Sequence, residues 1–329
     1  MHPILFEIGD FPVGSYALMV LIGLLLGVGL FAWLGTRLGK SGALFAELGL
    51  WAFVIAIASS KIFGAIVGLS QRGARVADQL AAVTVVLTVT LIGLVVLLSW
   101  LRQRGQLDGL AVGLTTPLVV IAAILAWKLG ASVKVVETAA LKQSIMALLR
   151  YSGHYYIGFI SGAAFLGIAL HRNGVSLGRG LDALAPSLAL AHAFGRLGCF
   201  LAGCCWGKDC SLPWAVTFTS ERARELTGVP LHRALHPTQL YESGGEIVIA
   251  SLLLFLHLRW PSFAGRTFLL YVAGYGVLRF FLEFVRADPG RALSSSFSIS
   301  QALAAVSVVA AIGFIVWRSR QAGSEPQAA

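Results

Sequence analysis

The chain has 329 residues, 57% of them hydrophobic and only 12% charged, with a formal net charge of +10. Soluble domains carry about twice that charged fraction, and with a mean hydropathy of +0.81 this excludes a water-soluble globular domain. The expected class is an all-α polytopic membrane protein, in which a basic balance suits anionic lipid headgroups and calls for no nucleic acid.

The opening M-H-P-I-L-F-E-I-G-D lacks the positive n-region of a cleavable leader, so the first apolar run is expected to be retained. That run, Tyr16 to Thr36, is long enough to span a bilayer, which takes about 20 helical residues. Tyr16 at its start suits an interfacial tyrosine better than a catalytic one when taken alone. A charge-interrupted candidate follows at 47–69, then uncharged runs from Gln79 to Trp100 and from Gly109 to Trp127. After a loop at 132–154 come candidates at 155–170, 181–203, 245–258 and 267–285, and Phe297 to Trp317 is the last. Nine spans are therefore expected. With the N-terminus outside, every inside segment holds two basic residues: Arg37 and Lys40, Arg102 and Arg104, Arg172 and Arg179, Arg259 and Arg266, Arg318 and Arg320. Arg72 and Arg75 weigh the other way. This orientation makes 204–244 an external head and the C-terminus cytoplasmic.

Charge inside apolar sequence is concentrated in a few places. His192, Arg196, Cys199 and Gly203 recur at helical spacing through G-R-L-G-C-F-L-A-G-C-C-W-G, on one face of the span at 181–203. Ionisable groups in such a segment point to a protected functional cavity; a polar helix–helix contact is the alternative. In the head, H-P-T-Q-L-Y-E carries His236, Gln239, Tyr241 and Glu242 into the next span, near the headgroup region, where an interfacial anchor is the plainer role. In the span at 267–285, Tyr271, Tyr275, Arg279, Glu283 and Arg286 form a polar stripe. An Arg279–Glu283 pair there is compatible with a structural role, but two arginines exceed one carboxylate and leave positive charge for an anionic ligand.

All four cysteines, Cys199, Cys204, Cys205 and Cys210, fall within twelve residues. Their C-x4-C-C-x4-C spacing is not the paired C-x2-C of a structural zinc site, and neighbouring cysteines point in different directions. In an external head, a disulfide from Cys204 or Cys205 to Cys210 is the structural expectation. A nucleophilic Cys204 is the competing one.

Taken together these motifs resemble the prolipoprotein diacylglyceryl transferase family, whose signature is G-R-x-G-N-F-x-N-x-E-x-x-G. Gly195, Arg196, Gly198, Phe200 and Gly207 match it, and His236 to Glu242 match H-P-S-Q-L-Y-E with threonine for serine. Arg279, Phe280, Glu283 and Arg286 match R-F-x-x-E-x-x-R, and Asp182 and Pro186 match D-x-x-x-P. Tyr156 to Gly162 is similar to H/Y-G-G-L-I-G-G, and Gln301 to a glutamine at the start of the last span. The resemblance covers 11–69 and 151–317. It departs at the signature's two asparagines and its glutamate, which are Cys199, Ala202 and Cys204 here. The family usually has seven spans, so 70–150 is expected to be an inserted helical pair and loop. It divides helices of the family core at 1–69 from a catalytic core at 151–317, with a cytoplasmic tail at 318–329.

The resemblance implies a multi-pass enzyme of the bacterial inner membrane. Its reaction moves the diacylglyceryl group of phosphatidylglycerol onto the lipobox cysteine of a preprolipoprotein signal peptide, releasing glycerol phosphate. It implies no metal or organic cofactor. Arg196 and Arg279 are expected to hold the phosphate, with Glu283 orienting Arg279. His236 and Tyr16 complete the expected catalytic set. Substrate contacts are expected at Tyr156, His154, His192, Cys199, Gly203, Gly207, Tyr241, Glu242 and Arg286, and the base is expected to be a histidine. Three other functions fit parts of the pattern: a related transferase with another acceptor, a membrane thiol–disulfide oxidoreductase, which would be expected to carry C-x-x-C, and an anionic-lipid transporter, which an inverted repeat would favour.

Overall fold

Residues 3–8, 11–70, 155–260, 262–287 and 298–324 are described by the computed structural model. The expected spans at 79–100 and 109–127, and His154, lie outside the described residues. An antiparallel hairpin, β1 (Ile4–Ile8) and β2 (Phe11–Gly14), leads directly into α1 (Ser15–Thr36). α1 carries no charge, and its 22 residues rise about 33 Å, the thickness of a hydrocarbon core. The other helices are α2 (Gly42–Ser70), α3 (Tyr155–Arg172), α4 (Leu177–Ala202), α5 (Glu221–Thr227), α6 (Thr238–Arg259), α7 (Arg266–Leu282) and α8 (Ile299–Ser324). Among the described residues six helices are long and apolar enough to cross a membrane, and Ile157–Arg172 is a shorter apolar helix. Large apolar side chains lie on their outer surfaces, such as Leu25, Phe281, Val306 and Val309, as lipid rather than water requires.

The described chain forms two compact units. In the one at 51–166, Gly158 and Gly162 of α3 face α2. A Cβ on either would stand 2.5 and 2.9 Å from the carbonyl oxygens of Ala56 and Ala52. Ser59 and Ser161 share a 2.6 Å hydrogen bond across the same seam. Small residues four apart let helix backbones approach without a side chain between them.

The other unit contains α1, α4, α6, α7 and α8. Gly23 and Gly27 of α1 leave no room for a Cβ against the carbonyl oxygens of Ala191 and Ser187 of α4, at 2.8 and 2.9 Å. Ala185 and Ala189 of α4 pack with Ala250 and Leu253 of α6 and Tyr271 of α7 in a buried core. Asp182 of α4 begins α7: its carboxylate accepts from the backbone N–H of Gly265 at 2.7 Å and of Phe268 at 3.1 Å. The first N–H groups of a helix have no partner of their own, so a buried carboxylate there supplies one. α8 starts on a reciprocal capping box. Ser298 N–H donates to Gln301 Oε1 at 2.9 Å, and Gln301 N–H donates to Ser298 Oγ at 3.1 Å. Between α4 and α6 the chain makes a small head, where Phe218, Ala223, Val229 and Leu235 are buried beneath Trp206. Strands β3 (Val216–Thr217) and β4 (Ala234–Leu235) pair antiparallel in it.

Candidate active site

The site is built where α4, α6 and α7 meet. α6 turns one face inward, so that Gln239, Glu242, Ser243 and Glu246 are all buried within an apolar helix. A carboxylate there needs a cation, and Glu242 has two. Arg196 Nη2 of α4 lies 3.0 Å from its Oε1, and Arg286 Nη1, beyond α7, lies 3.5 Å from its Oε2. Tyr275 of α7 donates its hydroxyl to the same Oε1 at 3.1 Å. One turn further along α6, Glu246 Oε1 lies 2.6 Å from Nδ1 of His192.

The tautomer of His192 follows from its neighbours. Arg196 Nε–H can only donate, and it points at His192 Nε2 from 3.3 Å. The proton of the neutral ring is therefore on Nδ1, directed to Glu246. Arg196 and His192 keep 18% and 27% of their side-chain surface open while both carboxylates are sealed at 0%. An incoming ligand meets the guanidinium and the imidazole first.

Arg279 and Glu283 form the expected pair, at 2.8 Å. Nη1 of Arg279 is buried without a hydrogen-bond partner among the described residues. An unsatisfied buried donor costs energy that a bound acceptor would recover. Tyr275 shares Glu242 Oε1 with Arg196 and lies one turn before Arg279 on α7, which relates the two arginines.

The ends of three motifs are tied together at Gly207. Its N–H donates to the His236 carbonyl at 3.0 Å, it bridges to Arg286, and the Lys208 N–H donates to the Val285 carbonyl at 2.8 Å. A Cβ on Gly207 would stand 2.6 Å from His236 and 2.7 Å from the Val285 oxygen, so only glycine fits. Gly203 serves another purpose and ends α4 in the left-handed region, at φ +77. Its N–H donates to the Phe200 carbonyl and that of Cys204 to the Cys199 carbonyl, the two bonds of a Schellman turn.

That turn gathers the thiols. The Cys204 side chain folds back over Cys199, and Cys205 has φ +59. The Sγ atoms of Cys199, Cys204 and Cys205 all lie within 4.8 Å of one another. All four cysteines are free, and Cys210 is not in this group. The expected bridge to Cys210 is thus corrected: its own N–H pairs with Ala234 in the head, while the helix end turns Cys204 the other way. The expectation that adjacent cysteines diverge also fails, because the left-handed backbone at Cys205 rotates its side chain back. Hydrogen bonds from Cys199 and Cys204 hold the Cys205 thiol below its ordinary range, and Arg196 and Arg286 act in the same direction. Sharing with Cys199 pushes Cys204 up.

Tyr16 is half exposed and in electrostatic reach of Cys199 and Arg196, with its ring packed on Gly198. His236 faces the Tyr241 hydroxyl at 3.3 Å, and that hydroxyl accepts from Trp214 Nε1 at 2.7 Å. These three form a separate cluster at the head. Tyr156 lies in α3, and its side chain is outside the described residues. The residues not anticipated are Glu246, the partner of His192, and Thr238, whose hydroxyl donates to the Cys205 carbonyl at 2.8 Å. Glu246 is signalled by its position four after Glu242, on the face already marked by Gln239.

A family profile described as prolipoprotein diacylglyceryl transferase matches residues 79–317, most of the chain. The chain belongs to the prolipoprotein diacylglyceryl transferase family. The match includes much of the expected insertion at 70–150. Similar members of the family include the phosphatidylglycerol–prolipoprotein diacylglyceryl transferase of Clostridium tetani, 44% identical over 42% of this chain and 51% of the relative. Transferase 1 of Streptomyces coelicolor is 40% identical over 39% of the chain and 36% of the relative. The enzyme of Pseudomonas paraeruginosa is 34% identical over 48% of the chain and 57% of the relative. The chain thus covers between about a third and three-fifths of the length of these family members.

Proposed function

We propose that the protein transfers the diacylglyceryl group of phosphatidylglycerol to the lipobox cysteine of a preprolipoprotein signal peptide, releasing glycerol phosphate. The observation that carries this reading is the Arg196–Glu242–Arg286 group, buried where three apolar helices meet, with the unsatisfied Nη1 of Arg279 in the same unit. The acceptor thiol gives its proton to Nε2 of His192, a position that Arg196 Nε–H gives up as the guanidinium turns to the phosphate, while Glu246 orients the ring through Nδ1. Its sulfur bonds to the glycerol carbon, the carbon–oxygen bond to phosphate breaks, and the electron pair leaves on the phosphate. Arg196 and Arg279 stabilise that growing charge, for which a planar guanidinium is suited. Glu242 and Tyr275 position Arg196, and Glu283 positions Arg279. Tyr16, Cys199 and Gly207 belong to the surrounding wall, and His236 and Tyr241 to the head over it.

We place the chain in the bacterial inner membrane with nine spans, the N-terminus outside and the C-terminus cytoplasmic, so that the head at 204–244 is external. The paired basic residues of the inside segments support this.

The test is mass spectrometry of a lipobox peptide incubated with the purified protein and phosphatidylglycerol. A diacylglyceryl thioether on the peptide cysteine is expected. An unmodified peptide after incubation with folded protein would contradict the reading.

A further inference from the structure

The fold brings Cys199, Cys204 and Cys205 together at the end of α4. Three features make the cluster more than an accident of composition. The Schellman turn sets Cys199 and Cys204 at the two positions whose side chains meet in that motif, which are usually apolar. Cys205 holds a left-handed conformation, φ +59, that a non-glycine residue adopts at a cost. The backbone between them is fixed from α6, since Gln239 Nε2 donates to the Cys204 carbonyl at 2.6 Å and Thr238 Oγ1 to the Cys205 carbonyl at 2.8 Å. Both of those side chains are fully buried. The three sulfurs are thus held by a rigid surround, which is how a ligand set is preorganised.

We propose that Cys199, Cys204 and Cys205 form a three-thiolate site for a thiophilic closed-shell cation, Zn(II). Metal–sulfur bonds of about 2.3 Å place three sulfurs around one ion about 4 Å apart. The sulfurs here lie within 4.8 Å of one another, so a closure of less than about 1 Å completes the set. Loading forms three S–metal bonds and releases to the buffer whatever protons the three sulfurs still carry, with no electron transfer. The resulting centre is anionic. Arg196 acts on Cys199 and Cys205, and Arg286 on Cys205, so positive charge to offset it is already in place. Cys204 and Cys205 are only partly buried, which leaves an ion a way in. Three thiolates leave the fourth position of a tetrahedral zinc ion for a ligand from outside the set.

Metal uptake is read without turnover, so its outcome is independent of the transferase reading. The full chain, reduced and metal-free in detergent, is titrated with Co(II) and then with Zn(II). Expected are sulfur-to-cobalt charge-transfer bands that saturate at one Co(II) per chain and vanish as Zn(II) displaces it. Cys199→Ser, Cys204→Ser and Cys205→Ser, each checked for wild-type helicity and melting, should weaken uptake by at least about 10-fold. Cys210→Ser should leave it unchanged. Folded wild-type protein without those bands would overturn the proposal, as would bands that persist in Cys199→Ser and Cys205→Ser or disappear in Cys210→Ser. A disulfide among the three, seen as a two-hydrogen mass loss in fully metal-free protein that then takes up no metal after reduction, would overturn it too.

Discussion

Arg196 Nη2 and Glu242 Oε1 stand 3.0 Å apart, joining two apolar helices through a carboxylate that is wholly buried. The pair fixes where the guanidinium points, and Arg286 and Tyr275 hold the other sides of the same carboxylate. Removing one partner of such a pair leaves an uncompensated buried charge, at a cost of about 3–5 kcal/mol. Glu242→Gln is therefore expected to lower the melting temperature in detergent and to abolish most turnover, while Glu242→Asp retains part of both. A Glu242→Gln protein with the melting point and rate of the wild type would show the carboxylate to be dispensable.

Replacing Arg196 or Arg279 by alanine is expected to reduce turnover by about 10²-fold or more, the scale of losing one donor to transition-state charge. Lysine keeps the charge but not the fork, so Arg196→Lys should also lose most of the rate. Near-normal rates for Arg196→Ala in membranes containing equal amounts of protein would exclude it from the phosphate site.

The 2.6 Å contact between His192 and Glu246 predicts that they act together. His192→Ala should lower the rate by about 10²-fold or more, as for loss of a general base, and Glu246→Gln by less. Adding Glu246→Gln to His192→Ala should cost little further. Independent, multiplying losses in the double variant would separate the two roles.

Two glycines of the signature give opposite expectations. Gly207→Ala forces a Cβ to within 2.6 Å of His236, where the chain crosses itself, and should destabilise the protein by about 1–3 kcal/mol. A Cβ on Gly195 meets nothing within 4 Å, so Gly195→Ala should be neutral or stabilising in its helix. Thermal melts of the two variants read this directly, and equal losses would contradict the crossing at Gly207.

What the sequence reveals and what it hides separate on locality. The long helices are legible because an uncharged apolar run carries its own signal, as in α1 and α8. The Arg279–Glu283 pair is legible because residues four apart share a helix face. Glu242 is recognisable as a motif residue, but its place at the centre of the site depends on α4 and α6 packing side by side, which no local spacing records. The same holds for His192 and Glu246, which lie 54 positions apart. The thiol cluster escapes for another reason. Spacing rules for metal sites describe C-x2-C pairs, whereas here a glycine-ended helix folds Cys204 back on Cys199. Gly203 followed by the cysteine pair is the signal that held this information.

The stoichiometry of transfer separates the proposed reaction from movement of the lipid alone. Purified protein is supplied with phosphatidylglycerol and a lipobox peptide, and glycerol phosphate and peptide thioether are counted in the same samples. One glycerol phosphate for each thioether, with both lost when the peptide cysteine is serine, is the predicted result. Phosphatidylglycerol that crosses the membrane unconsumed, with neither product formed, would contradict it.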